Sequence, residues 1–302
     1  MGALGQHHAR VYAQLPDVRL VGVHDVTAAR AEEVAGRHGT RAFGDLRALL
    51  AEVDAVSVAV PTLDHHRIGL AALTAGKDVL LEKPMATTLA EADDLIRVAA
   101  ERGLLLQIGH IERFNPAVAV LAAQPGQPRF IEVHRLASFS PRSLDIDVVL
   151  DLMIHDLDIV LSLDGSEPVQ VDAVGVAVLT ARPDIANARL RFASGLIANL
   201  TASRVSAEKV RKFRVFSPRT YVSLDLAARS AAVHRLVGTE GRPEIAIERT
   251  SAPDEEPLAR QLAAFVSSVR NRSAPLVSGA DGRRALALAH TILARMADHQ
   301  PA

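Results

Sequence analysis

Short apolar runs alternate with helical patterns between residues 6 and 108 of the chain. The runs are rich in Val and Leu and are bounded by Gly, Pro and Asp, which is typical of parallel strands buried on both faces. Strands are predicted at residues 19–24, 55–60, 79–82 and 104–108. Helices are predicted at residues 6–15, 28–38, 64–75 and 88–102. This alternation predicts an α/β fold with a Rossmann-type, doubly wound parallel sheet.

The pattern changes after Pro116, where the apolar runs become shorter and partly alternating. Strands are predicted there at residues 129–138, 185–192, 195–203, 212–217 and 221–226. They indicate an α+β domain with an open, mostly antiparallel sheet. Helices at 256–271 and 282–297 close the chain, and the stretch 238–257, dense in Glu, Arg and Pro, is expected to be a surface connection. We therefore expect two domains, residues 1–112 and 113–302.

Composition narrows the functional classes. Lys and Arg (34) nearly balance Asp and Glu (35), and aromatic residues make up 3%, so we expect no nucleic-acid partner. The chain has no cysteine, which excludes disulfides and a cysteine nucleophile. It shows neither an apolar run that could cross a bilayer nor a signal-peptide pattern, so we expect a cytoplasmic protein that does not contact a membrane. No metal site is predicted.

A partial dinucleotide-binding motif opens the chain. Gly2-Ala3-Leu4-Gly5 precedes the first helix and matches the second and third glycines of G-x-G-x-x-G, and Asp25 follows Gly5 by 20 residues. A carboxylate at that distance accepts hydrogen bonds from ribose hydroxyls and repels a 2′-phosphate, so NAD is expected rather than NADP. The motif's first glycine and the strand before it are not in the sequence. We hypothesise that the start lies inside a longer reading frame and that the first strand is missing.

Lys83 stands at the end of a predicted buried strand, in the tripeptide Glu82-Lys83-Pro84. Open α/β sheets bind ligands at the carboxyl ends of their strands, and the following proline restricts where the lysine points. A solvated turn would also explain these residue types. Lys83 is thus a candidate for chemistry or a turn residue.

Asp151 and His155 interrupt an apolar helical stretch at 148–160. The spacing i, i+4 places both on one face of a helix. A carboxylate one turn before an imidazole can fix its tautomer and stabilise its charged form, as a general base requires. The alternative is a pair that stabilises the helix, or a core histidine with a partner.

Lys83 and the Asp151/His155 pair, taken together, resemble the glucose–fructose oxidoreductase, inositol dehydrogenase and rhizopine catabolism family along essentially the whole chain. The resemblance includes Pro61-Thr62, Ala75-Gly76-Lys77 and the segment 281–286. It implies an NAD-binding domain, a substrate-binding domain that also forms a homodimer or homotetramer, and oxidation of a hydroxyl group. The catalytic residues it implies are Lys83, Asp151 and His155. The cofactor-binding residues expected from motif and resemblance are Gly2, Ala3, Leu4, Gly5, Asp25, Pro61, Thr62, His65, Glu82 and Lys83.

Within the family, residues 109–116 and 147–156 are most similar to members that oxidise the 3-hydroxyl of UDP-N-acetylglucosamine, in amino-sugar synthesis for lipid A or surface polysaccharide. A nucleotide-sugar substrate needs local cations. The substrate-binding residues expected are Lys83, Arg113, Asn115, Arg142 and His155. Arg135 could also serve, although surface solvation is an equal alternative for Arg135 and Arg142. A dehydrogenase of a free cyclic polyol or sugar, and a non-catalytic ligand-sensing relative, remain alternatives.

Overall fold

The computed structural model describes residues 2, 4–124, 126–139, 146–239, 242–252 and 254–298. The chain forms two compact units. Unit 1 contains Met1–Ile111 and Pro257–Arg283, and unit 2 contains Glu112–Glu256 and Arg284–Ala302. The segment Pro257–Arg283 thus belongs with the first unit, whereas the predicted division at 112/113 had placed it in the second domain. Its helix packs apolar side chains against the first unit's core, a contact that sequence order alone does not reveal.

Unit 1 is built from parallel strands and helices. Its strands are β1 (Gly22–His24), β2 (Arg41–Phe43), β3 (Ala55–Val58), β4 (Asp78–Glu82) and β5 (Leu106–Gly109). Its helices are α1 (Gly5–Gln14), α2 (Ala28–His38), α3 (Leu46–Glu52), α4 (His65–Thr74), α5 (Leu89–Glu101) and, later in the chain, α8 (Pro257–Asn271). The predicted bounds of α2 agree with those observed, and α5 begins with the capping box of Thr88 and Glu91.

The parallel strands of unit 1 form a pair, β1–β2, and a triplet, β3–β4–β5. β4 is central in its triplet and buried along its whole length, as the continuous apolar run Val79–Leu81 predicts. This is the Rossmann-type arrangement expected from the sequence. Within the described ranges no strand pairs with both the pair and the triplet.

Unit 2 is built around an eight-stranded sheet in the order β13-β12-β11-β10-β6-β9-β8-β7, antiparallel except for β6–β9. Its strands are β6 (Phe130–Leu136), β7 (Pro168–Val176), β8 (Ile185–Phe192), β9 (Ile197–Ser203), β10 (Val210–Ser217), β11 (Thr220–Asp225), β12 (Ser230–Thr239) and β13 (Arg242–Ser251). Its helices are α6 (Pro116–Ala122) and α7 (Ile154–Asp164), and α9 (Gly279–Ala297) begins in unit 1 and continues into unit 2. The open, mostly antiparallel sheet confirms the predicted fold class.

The core of unit 2 lies on one face of this sheet. Strand residues alternate between buried and partly exposed along β6 and β8, as expected when one face of a sheet covers a core. Residues 154–161 of α7 are buried without exception. Polar side chains on this helix must therefore find their partners inside the protein.

The segment 238–257, expected to be a surface connection, instead contains a strand, so this prediction is wrong. Residues Arg242–Ser251 form β13, which pairs antiparallel with β12 at the edge of the sheet. Every residue of β13 is exposed, so the strand has no buried face. Without alternating burial, the sequence carries no period-2 apolar signal, and the strand depends on its backbone hydrogen bonds.

Among the helices of the described residues, none is both long and apolar enough to cross a membrane. In the part of the chain that the structure describes, no three His, Asp or Glu side chains lie together in a way that could hold a metal ion.

Two helical glycines give a test of packing in unit 1. A Cβ on Gly282 in α9 would lie 2.6 Å from Cγ1 of Ile108, whereas a Cβ on Gly36 in α2 would meet nothing within 4 Å. We expect Gly282→Ala to lower the free energy of unfolding by about 1–3 kcal/mol, because buried Ile108 has no room to move. Gly36→Ala should raise it by about 0.5–1 kcal/mol. Denaturant unfolding measures both, and equal effects of the two substitutions would contradict this packing.

Candidate active site

The amino-terminal end of α1 is suited to an anion. The helix begins at Gly5 with Leu4 as its N-cap residue, so no side chain caps it, and its first turn has no acidic residue. Helix N-termini present backbone N–H groups and a partial positive charge to phosphate groups. Gly2 lies just before this turn, and Ala3 lies outside the described residues. The turn therefore fits the pyrophosphate of a dinucleotide.

Asp25 directly follows the carboxyl end of β1. Its Oδ1 accepts a hydrogen bond of 2.8 Å from the backbone N–H of Thr27, which orients the carboxylate at the start of α2. A carboxylate here and an uncapped α1 are the two features that NAD requires of this unit. The residues present fit NAD, and Asp25 disfavours the 2′-phosphate of NADP.

Lys83 lies at the carboxyl end of β4, next to the carboxyl end of β3, where Pro61 and Thr62 open a 3-10 turn. The two strands are parallel neighbours, so the structure brings these three residues to the same edge of the sheet, as predicted. Lys83 is partly buried, and the Lys83–Pro84 peptide bond is cis. The lysine lies at the carboxyl end of a parallel strand, the edge where this fold binds ligands.

His65 holds the two strand ends together. The side chain is 1% exposed, with Nδ1 2.7 Å from the carbonyl oxygen of Pro84 and Nε2 2.9 Å from that of Val60. Burial lowers the pKa of His65, against the opposing effect of the two carbonyls. The neutral ring donates its single N–H to one of these carbonyls and lies between the segments that carry Pro61 and Lys83. The contact of His65 with the cofactor stays a prediction.

Glu82 is also turned into the protein. Its carboxylate is buried, with Oε1 3.3 Å from Nε2 of His8 and accepting a hydrogen bond of 3.3 Å from Nε2 of Gln261. The predicted contact of this side chain with the cofactor stays a prediction. Gln261 was missed from the sequence, although a signal exists: it shares the apolar face of α8 with Leu258 and Leu262, where a polar residue needs a partner.

Asp151 and His155 lie at the start of the buried helix in unit 2. Asp151 is in a π-helical turn, Val149–Met153, and His155 is in the first turn of α7. Turns of this kind interrupt regular helices frequently at functional sites. Asp151 is partly exposed and His155 is 9% exposed. Both side chains are therefore largely shielded from solvent but retain some accessible surface.

A buried ion network fixes the rotation of α7. Asp156 receives two hydrogen bonds of 2.7 Å from Nε and Nη2 of Arg135, whose Nη1 donates to Glu112 at 2.9 Å. Burial acts to lower the pKa of Arg135, but the two carboxylates outweigh it and raise the pKa. Surface solvation is therefore the wrong description of Arg135, whose buried guanidinium uses three of its five N–H donors on Asp156 and Glu112. The signal was its alternation with Ile131 and Val133 on the buried face of β6.

The predicted substrate-binding residues of unit 2 lie in different environments. Asn115 caps α6 through Oδ1 and donates to Glu112 and to the carbonyl of Leu226, so its side chain serves the fold and is withdrawn as a substrate residue. Arg113 is partly buried, with Nη1 3.4 Å from Oδ1 of Asp158 in α7. Arg142 lies outside the described residues.

A second buried pair anchors the segment that leads into the π-helical turn. Asp184 accepts hydrogen bonds of 2.6–2.9 Å from three successive backbone N–H groups, at 178–180, and one of 2.9 Å from Nε of Arg204. Arg204 also donates to the carbonyl oxygen of Ile146 at 2.9 Å. Sequence reasoning missed this pair, although a signal exists: Asp184 directly precedes β8 and Arg204 directly follows β9, so the antiparallel pairing of these consecutive strands brings them together.

One unit of the chain is Rossmann-type, with an NAD-compatible turn and a lysine at its sheet edge. The other unit carries Asp-x-x-x-His at a buried helix. Together these features define an NAD-dependent dehydrogenase that acts on CH–OH groups. Family comparisons agree. Residues 1–110 match the oxidoreductase family with the NAD-binding Rossmann fold, and residues 120–222 match the GFO/IDH/MocA C-terminal domain. The chain belongs to the GFO/IDH/MocA oxidoreductase family.

Two curated relatives and a solved structure place it within that family. The UDP-N-acetylglucosamine 3-dehydrogenase of Acidithiobacillus ferrooxidans is 45% identical over 96% of this chain and 93% of its own. A solved structure of that enzyme has a TM-score of 0.92 at 43% identity, covering 99% of this chain and 97% of its own. The inositol 2-dehydrogenase of Rhizobium meliloti is 27% identical over 98% of this chain and 95% of its own.

The Asp184–Arg204 pair generates a prediction for stability. Burial acts to raise the pKa of Asp184, but the three backbone N–H groups and Arg204 outweigh it and hold the pKa well below its usual range. A carboxyl with a depressed folded-state pKa stabilises the protein above its unfolded pKa of about 3.9, and this contribution is lost as the pH falls below that value. We expect Asp184→Asn to lower the free energy of unfolding by about 3 kcal/mol at pH 7.

The deficit of Asp184→Asn should shrink in unfolding experiments near pH 3, where the unfolded wild-type carboxyl is mostly protonated. Asp172→Asn, which removes an exposed carboxylate from β7, is the matched control and should have little effect at either pH. A deficit of the same size at both pH values would contradict the assigned charge state of Asp184.

Proposed function

We propose that this protein oxidises the 3-hydroxyl of UDP-N-acetylglucosamine, or of a closely related nucleotide sugar, to a ketone with NAD. The observation that carries the proposal is that one chain has Lys83 at the sheet edge of its NAD-binding unit and His155 on a buried helix of its other unit. It is supported by 45% identity, over 96% of the chain, to a UDP-N-acetylglucosamine 3-dehydrogenase.

Lys83 is proposed to stabilise the reacting oxygen. A carbinol releases hydride from carbon as its hydroxyl loses a proton, so negative charge develops on the oxygen. A fixed ammonium group near that oxygen lowers the energy of the transition state. The placement of Lys83 at the carboxyl end of β4, partly buried, supports this role.

His155 is proposed to accept the proton of the hydroxyl. Asp151 is proposed as the carboxylate that orients the imidazole and stabilises its protonated form. NAD, when bound, supplies the hydride acceptor. The ion network of Asp156 with Arg135 supports the role of His155, because it fixes the rotation of the helix on which the imidazole stands.

Recognition of the diphosphate is proposed to involve Arg113 and Arg142. Arg113 keeps a partly accessible guanidinium close to Asp158, and arginine is suited to bidentate contacts with phosphate. The ketone product would be a substrate for an aminotransferase, in keeping with amino-sugar synthesis for lipid A or surface polysaccharide.

We also propose that the chain forms a homodimer or homotetramer through the face of the eight-stranded sheet opposite its core. A row of rings crosses four strands on that face, with centroid distances of 5.7 Å for Phe130–Phe216, 4.7 Å for Phe216–Tyr221 and 5.2 Å for Tyr221–His234. Partly exposed aromatic side chains are enriched at protein interfaces. The surface therefore suits contact with a second copy.

The proposed function is tested by following the absorbance of reduced cofactor with NAD and UDP-N-acetylglucosamine, and with myo-inositol and glucose as alternatives. We expect turnover with the nucleotide sugar. Lys83→Met and His155→Asn should each lower kcat by about 10²–10⁴-fold while NADH binding is retained, because each removes a group that acts on the hydroxyl.

Asp172→Asn serves as the control and should keep wild-type activity. Turnover with myo-inositol or glucose alone would overturn the substrate assignment. Wild-type rates in Lys83→Met and His155→Asn would overturn the assignment of the site and favour a role as a ligand sensor.

A further inference from the structure

Glu82 ends a strand that is otherwise apolar and closed to solvent. Its side chain is 6% exposed, and Val79, Leu80 and Leu81 before it are 0% exposed. Taking a carboxylate out of water is costly unless opposite charge or hydrogen-bond donors match it, and an apolar residue would fill the same space more cheaply. Packing alone therefore does not explain a carboxylate at this position.

Several elements of unit 1 converge on this carboxylate. Oε1 receives the amide of Gln261 from α8 and lies close to the His8 imidazole of α1, each at 3.3 Å. Oε2 accepts a hydrogen bond of 3.4 Å from the backbone N–H of Lys83. On β5, a Cβ at Gly109 would lie 2.5 Å from the carboxylate, so the neighbouring strand leaves room through a residue without a side chain.

The carboxylate is ionised at neutral pH. Burial acts to raise the pKa of Glu82, but His8, the ammonium of Lys83 and the Gln261 amide together outweigh it and lower the pKa. Besides His8 and Lys83, the titratable groups that sense its charge are Tyr12 of α1 and His65 of α4. Glu82 therefore adds a fixed negative charge beside Lys83.

We propose that Glu82 is the counter-charge of the nicotinamide site: a buried carboxylate, positioned by His8 and Gln261, that balances the Lys83 ammonium and the positively charged ring of oxidised NAD. This inference rests on the proposed function, which places Lys83 beside the nicotinamide. Without Glu82, two cationic groups would meet in a site from which water is largely excluded. Since the ring of NADH is neutral, the carboxylate favours the oxidised cofactor selectively.

The test is the ratio of the dissociation constants for NAD and NADH, measured by calorimetry or fluorescence without any sugar. Glu82→Gln keeps the shape and removes the charge. We expect it to weaken NAD binding about tenfold and NADH binding by about twofold or less, because the energy lost is electrostatic. Glu82→Asp, which keeps the charge, should retain most of the wild-type ratio.

Asp78→Asn is the matched control, since it removes a buried carboxylate from the opposite end of β4, where Asp78 pairs with Arg272. It should leave the NAD to NADH ratio unchanged. If Glu82→Gln does not fold, Gln261→Met, which removes a donor to the carboxylate, should shift the ratio in the same direction by a smaller factor.

Equal weakening of NAD and NADH in Glu82→Gln would show a merely structural role and overturn the inference. An unchanged ratio in Glu82→Gln or, if that variant does not fold, in Gln261→Met would also overturn it. Since no sugar is present, a failure to oxidise UDP-N-acetylglucosamine would refute the proposed substrate and leave this test intact. Absence of NAD binding by the wild type would refute the cofactor assignment on which both depend.

Discussion

A charge that enters a protein core must be matched there, and this constraint places both segments proposed to act on the substrate. In unit 1, Glu82 is matched by Gln261, His8 and Lys83, and the match holds the end of β4. In unit 2, Asp156 is matched by Arg135, and the match holds α7. Each of the two residues proposed to act on the substrate is the immediate sequence neighbour of a buried, paired carboxylate: Lys83 follows Glu82, and His155 precedes Asp156.

This arrangement supports the two residues proposed for the chemistry. The paired carboxylates are withdrawn from solvent, so the groups beside them are fixed by interactions that a substrate does not disturb. Lys83 and His155 can then present a cation and an imidazole in a defined place, as electrostatic stabilisation and proton transfer require. The Asp184–Arg204 pair extends the same support to Ile146, at the start of the segment that carries Asp151.

The sequence predicted those helices and strands in which apolar residues recur with the period of a helix or a strand. The bounds of α2 and β8 agree with the prediction because apolar and polar positions there follow the period of a helix or a strand. β13 was missed because it is exposed along its whole length and has no such period. The return of Pro257–Arg283 to unit 1 was missed because it depends on contacts between residues far apart in the chain.

The candidate site was predictable to the same extent. Lys83, Asp151 and His155 stand out because polar residues interrupt apolar runs there, but spacing alone left structural alternatives open, and the family resemblance gave them their predicted roles. The partners of the buried charges could not be predicted. Asn115 and Arg135 are residue types that often bind phosphate, but here their side chains form hydrogen bonds within the fold. A hydrogen-bonding side chain can serve a ligand or the protein, and only its neighbours in space decide between these uses.

The most direct measurement follows the hydrogen on carbon 3 of the sugar. UDP-N-acetylglucosamine carrying deuterium at that carbon is oxidised with unlabelled NAD, and the reduced cofactor is analysed by mass spectrometry. Direct hydride transfer at carbon 3 predicts one deuterium in each NADH formed and a slower rate when that step limits turnover. NADH without deuterium, or no NADH at all from the nucleotide sugar, would contradict the account.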